Sequence, residues 1–236
     1  MTRTCILGLM TNVLLASACA SGGATSAPMR SDPPAAANAV AIARWTCTSN
    51  NTTVAPADGL ISDFSDKGGL PGRIDVSVPT DAVPGVILSQ TMDAGRLAVE
   101  IKAAPGPKPQ VLTVTRPFDG CVDARGFAGV QFSLSGSLSG CAMTYATIDP
   151  AHQYYEAGGP YPPQKRIAAD EVASASRTIT APFQKSEIQG NPATPVDPAQ
   201  LAAIQWAIMV PVAPDDGSAV SPCTGEIFID DVKLYR

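Results

Sequence analysis

The sequence predicts an all-β domain folded as a sandwich of two antiparallel sheets. Several segments alternate apolar and polar residues with a period of two, the pattern of half-buried strands. The chain is also rich in turn formers, with 22 Pro and 20 Gly. Its strand-like segments recur at short intervals with little helical periodicity between them, which favours a sandwich over a helical or α/β architecture.

The chain opens with residues of a different kind. Residues 1–19 read as an export signal: Arg3, a mainly apolar run from Cys5 to Leu15, then small residues up to Cys19. The apolar run is too short to span a bilayer as a stable helix. Two processing patterns overlap there. Ala16-Ser17-Ala18 is an A-x-A cleavage site, and Leu15-Ala16-Ser17-Ala18-Cys19 is similar to the lipobox of bacterial lipoproteins, in which Cys19 would carry the lipid. The leucine preferred three residues before that cysteine is here Ala16. Ala20 and Ser21 lack the aspartate that marks inner-membrane retention. The expected location is therefore the outer membrane, with a periplasmic or secreted protein as the alternative. No other stretch is long and apolar enough to cross a membrane, so membrane contact is expected through the lipid alone. Residues 20–43 are Ala, Ser, Gly and Pro with almost no large apolar side chain. They cannot bury enough surface to offset their ordering entropy and are expected to form a tether. Residues 44–236, about 190 in all, suit one sandwich domain.

Within that domain, Leu97, Val99 and Ile101 alternate with Ala98, Glu100 and Lys102, and a second strand is expected from Gln110 to Thr115. From Phe127 to Ser135, Val130, Phe132 and Leu134 should face the core while Gln131, Ser133 and Ser135 face out. Gly136 to Gly140 has the composition of a hairpin turn, with Cys141 to Ile148 returning as its partner strand. A surface loop follows from Asp149 to about Lys165, then a short strand from Arg177 to Ala181 closed by Pro182. Asp197-Pro198 opens a turn or single helical turn. Leu201 to Val210 sets Ile204, Trp206, Ile208 and Val210 on one side, Trp206 being read as core, and Gly225 to Tyr235 closes the domain.

Charge and cysteine usage exclude several functions. Net charge is −5, 16% of residues are charged and no basic cluster exists, so nucleic acid is not an expected partner. Setting aside Cys5 and Cys19 leaves Cys47, Cys121, Cys141 and Cys223, an even set that in an exported chain favours two disulfides. Sequence leaves three pairings open, of which Cys47 with Cys121 and Cys141 with Cys223 is preferred. With one histidine and no C-x-x-C pair, a structural zinc site is not expected.

Four segments, in this order, resemble the galactose-binding-like jelly roll of carbohydrate-binding modules, in the group that includes family 11. They are Leu60-Ile61-Ser62-Asp63-Phe64-Ser65-Asp66; Val122-Asp123-Ala124-Arg125-Gly126-Phe127-Ala128-Gly129-Val130-Gln131-Phe132; Arg177 to Phe183 with Asp197 to Trp206; and Ile227-Phe228-Ile229-Asp230-Asp231-Val232-Lys233-Leu234. The resemblance spans Leu60 to Arg236 and implies a two-sheet jelly roll whose first and last strands are neighbours. It also implies a structural calcium ion at their acidic ends, with Asp63, Asp66, Asp230 and Asp231 as oxygen donors. Ser65 stands where that family has a further acidic residue.

Sugar recognition pairs aromatic rings with amides and carboxylates. The aromatic cluster on an expected surface is Tyr154, Tyr155 and Tyr161, and Gln131, Tyr145 and Gln205 are candidates to join it from the sheet face. Catalytic residues are not expected. His152 has no G-x-S-x-G serine partner, and the acidic residues show no spacing that singles out a glycosidase pair. The expected function is thus a non-catalytic, carbohydrate-binding-module-like domain of an exported, lipid-anchored envelope protein that requires no cofactor, structural calcium being only what the resemblance implies. The alternative is a structural or protein-interaction envelope lipoprotein without a sugar site.

Overall fold

The computed structural model describes residues 46–65, 69–153, 158–188, 193–216 and 218–236; the expected signal, Cys19 and the expected tether lie outside them. The described residues form twelve strands in two sheets. Sheet I contains β1 (Thr52–Val54), β3 (Asp75–Ser77), β6 (Gln110–Asp123), β8 (Ala142–Ile148), β9 (Gln164–Ile167) and β11 (Leu201–Val210), ordered β1-β6-β11-β8-β9 with β3 also on β6. Sheet II contains β2 (Leu60–Ser62), β4 (Ile87–Asp93), β5 (Arg96–Ala103), β7 (Gly129–Ser139), β10 (Arg177–Pro182) and β12 (Cys223–Tyr235), ordered β10-β7-β12-β5-β4 with β2 also on β12.

From β5 to β8 each strand lies in the opposite sheet to the one before. The last two strands are then inserted, β11 between β6 and β8 and β12 between β5 and β7. This is the interleaved order of a jelly roll, and the protein is an all-β two-sheet sandwich. Every strand pairing is antiparallel except that of β1 with β6, where Thr52 runs alongside Cys121 in parallel. The Cys47–Cys121 disulfide lies beside that exception.

One expected element is overturned. The segment from Gly136 to Gly140 is not a hairpin turn, and β7 and β8 are not partners: β7 continues to Ser139 in sheet II, while β8 pairs with β11 and β9 in sheet I. Composition misleads because Gly136 is needed inside a strand. It has φ 121°, and a Cβ there would run into the Glu226 carbonyl oxygen of β12. A true hairpin joins β4 to β5, where Ala94 and Gly95 (φ 49° and 79°) form a two-residue loop between the paired Asp93 and Arg96. The 3-10 turn at Pro198–Gln200 is capped by Asp197, whose carboxylate accepts from the Ala199 N–H at 2.9 Å.

The core is filled by the inward positions of both sheets, among them Leu97, Val99 and Ile101 of β5 and Ile204, Trp206 and Ile208 of β11. Phe132, Tyr145 and Trp206 form its aromatic centre, with ring centroids 5.0, 5.6 and 5.6 Å apart. The four domain cysteines make two disulfides, Cys47–Cys121 and Cys141–Cys223. The second fastens the β7–β8 crossing to the start of β12. Two disulfides place the protein in an oxidising, extracytoplasmic compartment. No helix among the described residues is long and apolar enough to cross a membrane.

Candidate functional site

Strand register determines what each sheet shows to solvent, because side chains alternate faces. On β11 the inward Ile204, Trp206 and Ile208 leave Ala203, Gln205, Ala207 and Met209 on the outer face of sheet I. Gln205 stands between Thr115 of β6 and Ala146 of β8, and Ala207 between Thr113 and Thr144. Beyond them the edge strands continue the rows, with Asp75 opposite Thr115, Ser77 opposite Thr113, Gln164 opposite Ala146 and Arg166 opposite Thr144. Five strands spaced by ~4.8 Å make this a band about 19 Å across. Its centre carries only small or hydroxyl-bearing side chains and one amide; Thr113, Thr144, Ala146 and Ala207 there are buried, while Thr115 and Gln205 are half-buried. Gln205 Nε2 donates to Thr115 Oγ1 at 3.1 Å, which fixes the amide flat along the row.

At the β9 edge of the band lies an open depression of about 450 Å3 lined by Ala142, Arg166, Glu187, Ile188 and Met209. That size falls within the range of small-ligand sites, ~300–1,000 Å3. At its other end the band meets Tyr161, which packs on Ala146, Ile148 and Ala203.

The sequence-predicted ligand residues do not converge. Gln205 and Tyr161 belong to the outer face of sheet I, but Gln131 lies on the outer face of sheet II, beside Thr180 and Lys233. Tyr145 is a correction: it is 1% exposed in the core, its hydroxyl paired with Thr147 Oγ1 at 3.1 Å and pushed to a higher pKa by burial. Parity explains it, because the small residues Ala142, Thr144 and Ala146 take the outer positions of β8 and leave Met143 and Tyr145 for the core. Tyr154 and Tyr155 lie outside the described residues. Thr113, Thr115, Thr144, Gln164 and Arg166 were not singled out from sequence. For the three threonines the signal was available, since each alternates with apolar core residues; β9 is too short to show one.

At the opposite face lie the acidic strand ends of sheet II, whose carboxylates bond to Ser65, to the Asp231 N–H and to Lys233. Asp63 Oδ1 accepts from the Ser65 N–H and hydroxyl at 3.0 and 2.8 Å, which holds its carboxyl below the usual range. Asp230 is raised, chiefly by burial and also by the neighbouring Asp231 and Asp63 charges, against a bond from the Asp231 N–H. Asp231, at φ 49° in a bulge of β12, is paired with Lys233 at 2.9 Å. Asp66 lies outside the described residues, and no three acidic, His or Cys side chains among those described gather as a metal site.

The buried Asp149–His152 pair has the look of catalytic machinery. His152 Nδ1 lies 2.7 Å from Asp149 Oδ1, which also accepts from the Ala151 and His152 N–H groups, while Oδ2 accepts from the Asp197 N–H at 2.8 Å. Burial alone would raise the Asp149 carboxyl, but these bonds outweigh it and hold it below its ordinary value. A histidine activates a nucleophile only through its other nitrogen. Here Nε2 is buried without a partner and His152 is wholly inaccessible. The pair instead pins the loop after β8 to the capped turn before β11.

No family model matches the sequence, and no curated protein does. Solved structures do. One is a family 11 carbohydrate-binding module from Clostridium thermocellum in complex with a β-1,3-1,4-mixed-linked tetrasaccharide, at 14% identity and a TM-score of 0.45, covering 75% of this chain and 94% of that one. Another is the family 11 module of the cellulosomal cellulase Lic26A-Cel5E of Clostridium thermocellum, at 13% identity and 0.42, covering 75% and 92%. A third is an agarase, AgWH50C, at 13% identity and 0.44, covering 75% of this chain and 24% of that one.

Proposed function

We propose that this chain is a non-catalytic carbohydrate-binding domain of an exported envelope protein, tethered through a lipid on Cys19 and holding glycan across the outer face of sheet I. One observation carries the reading. Across five strands in register, that face carries partly exposed polar groups (Thr115, Gln164 and Gln205) around a floor of small, buried side chains (Thr113, Thr144, Ala146 and Ala207), with a tyrosine at one end and an open depression at the other. Such a surface offers a shallow floor with hydrogen-bonding groups at its margin to a chain of hydroxyls, without demanding deep burial.

The test is a glycan array and polysaccharide pull-down with the mature protein, alongside its Gln205→Ala variant. Binding to at least one glycan class, weakened by the substitution, supports the reading. Silence across the array returns the protein to the alternative of a structural or interaction lipoprotein. Mass spectrometry of the mature N-terminus separately tests lipid on Cys19, and a free N-terminus at another residue would remove the anchor.

A further inference from the structure

The charges around the binding face leave one group uncommitted. Asp75, at the β3 edge, receives Arg73 Nε at 2.8 and 3.0 Å. Glu187, on the wall of the depression, receives Lys165 Nζ at 3.3 and 3.1 Å, and Lys165 lies 3.7 Å from Glu171 as well. Arg166 stands next to Lys165 in β9 but points to the other side of the sheet, opposite Thr144. It has no hydrogen bond or ion pair with any described residue, and it lines the depression with the apolar Ala142, Ile188 and Met209. The guanidinium thus stands at the β9 edge of the rows with no partner among the described residues, while Glu187, a carboxylate lining the same depression, is paired with Lys165.

From this we infer that the glycan held on sheet I is acidic, with a carboxylate or sulfate group that Arg166 receives while the sugar ring behind it lies over Met209 and Ala142. The inference rests on the carbohydrate-binding reading above. A planar guanidinium presents paired donors that match two oxygens of one anionic group, which a neutral sugar hydroxyl cannot supply. The protein's net charge of −5 works against anionic ligands at long range. Recognition therefore has to come from this local contact, and it should weaken with salt.

Affinity electrophoresis and calorimetry with the full mature protein test this, using polygalacturonate, the same polymer methyl-esterified, a sulfated galactan and a neutral β-glucan. Arg166 is exposed and its side chain has no partner among the described residues, so Arg166→Gln leaves the fold intact, which thermal melting checks. Polygalacturonate or the sulfated galactan is expected to bind, and which of them binds tells carboxylate from sulfate. Arg166→Gln should weaken that binding about tenfold, Arg166→Lys should restore part of it, and esterification should mimic the Gln variant for a carboxylate ligand. If neutral glucan binds as well as the acidic polymers, or Arg166→Gln changes nothing while binding persists, the acidic specificity is wrong and the carbohydrate reading stands. If none of the four polymers binds the unaltered protein but the glycan array finds another ligand, the acidic specificity alone falls; if the array is silent too, both fall.

Discussion

The two outer faces of the sandwich are built on the same alternation yet spend their polar groups differently. On sheet II, the Arg96 guanidinium lies 4.4 Å over the Phe228 ring and bonds Asp93 at 2.8 Å, and Lys233 pairs with Asp231. Ser135 and Ser137 line a depression of about 350 Å3 there, but its cation and its aromatic ring already hold each other. On sheet I the centre is small and hydroxyl-rich, and Arg166 at its edge is unspent. A face whose charges and rings are mutually satisfied gains little from a ligand, because each new contact must first break an old one. That difference singles out sheet I, although sheet II is the better supplied with charge.

Disulfide removal gives the largest expected change. The two bridges close spans of 74 and 82 residues, so loop entropy predicts nearly equal losses, about 2–5 kcal/mol each. Denaturant melts of Cys47→Ser/Cys121→Ser and Cys141→Ser/Cys223→Ser check this. A clearly greater loss for the second pair would show that the crossing from β7 to β8 depends on its tie to β12 beyond chain entropy.

The faces themselves are compared by filling each. Thr115→Trp on sheet I, at a half-buried position, should reduce glycan binding about a hundredfold, while Ser135→Trp on sheet II should leave it within twofold, both read by calorimetry. Equal effects would erase the distinction between the faces.

Two carboxylates of opposite sign in their linkage separate the regions further. Asp149 has a lowered native pKa, so its contribution is present at neutral pH and is lost as pH falls through that native value. Asp149→Ala should cost roughly 1–3 kcal/mol at pH 7, with the difference from wild type shrinking in acid. For Asp230 the native pKa is raised, so the native state holds that proton more tightly, and stability from this group falls as pH rises through the native pKa. Asp230→Asn should therefore raise the melting temperature slightly at pH 7, about 1–2 °C, and leave it unchanged below about pH 3. A decrease at pH 7 that calcium deepens would instead mean that Asp230 holds a cation.

Much of the fold was readable from the chain because alternation is local. β5, β10, β11 and β12 lie within a residue or two of where the pattern puts them, and Trp206 is in the core as its neighbours Ile204 and Ile208 require. The error at Gly136 arose because composition cannot tell a glycine needed for a turn from one needed where β12 passes close by. The candidate site was legible only in fragments. Of the candidates, Gln205 and Tyr161 share the outer face of sheet I, whereas Gln131 is across the molecule and Tyr145 is inside it.

By itself, then, the sequence determined the class of fold and the inward stripe of each long strand, since periodicity acts within a segment whatever its place in space; it left three cysteine pairings open, and the structure closes the preferred one. Only the tertiary structure decided which strands are neighbours. The insertion of β11 between β6 and β8 brings Thr115, Gln205 and Ala146 into one row and sets Arg166 at its edge, a placement that depends on pairing between segments far apart in the chain and leaves no trace in any one of them.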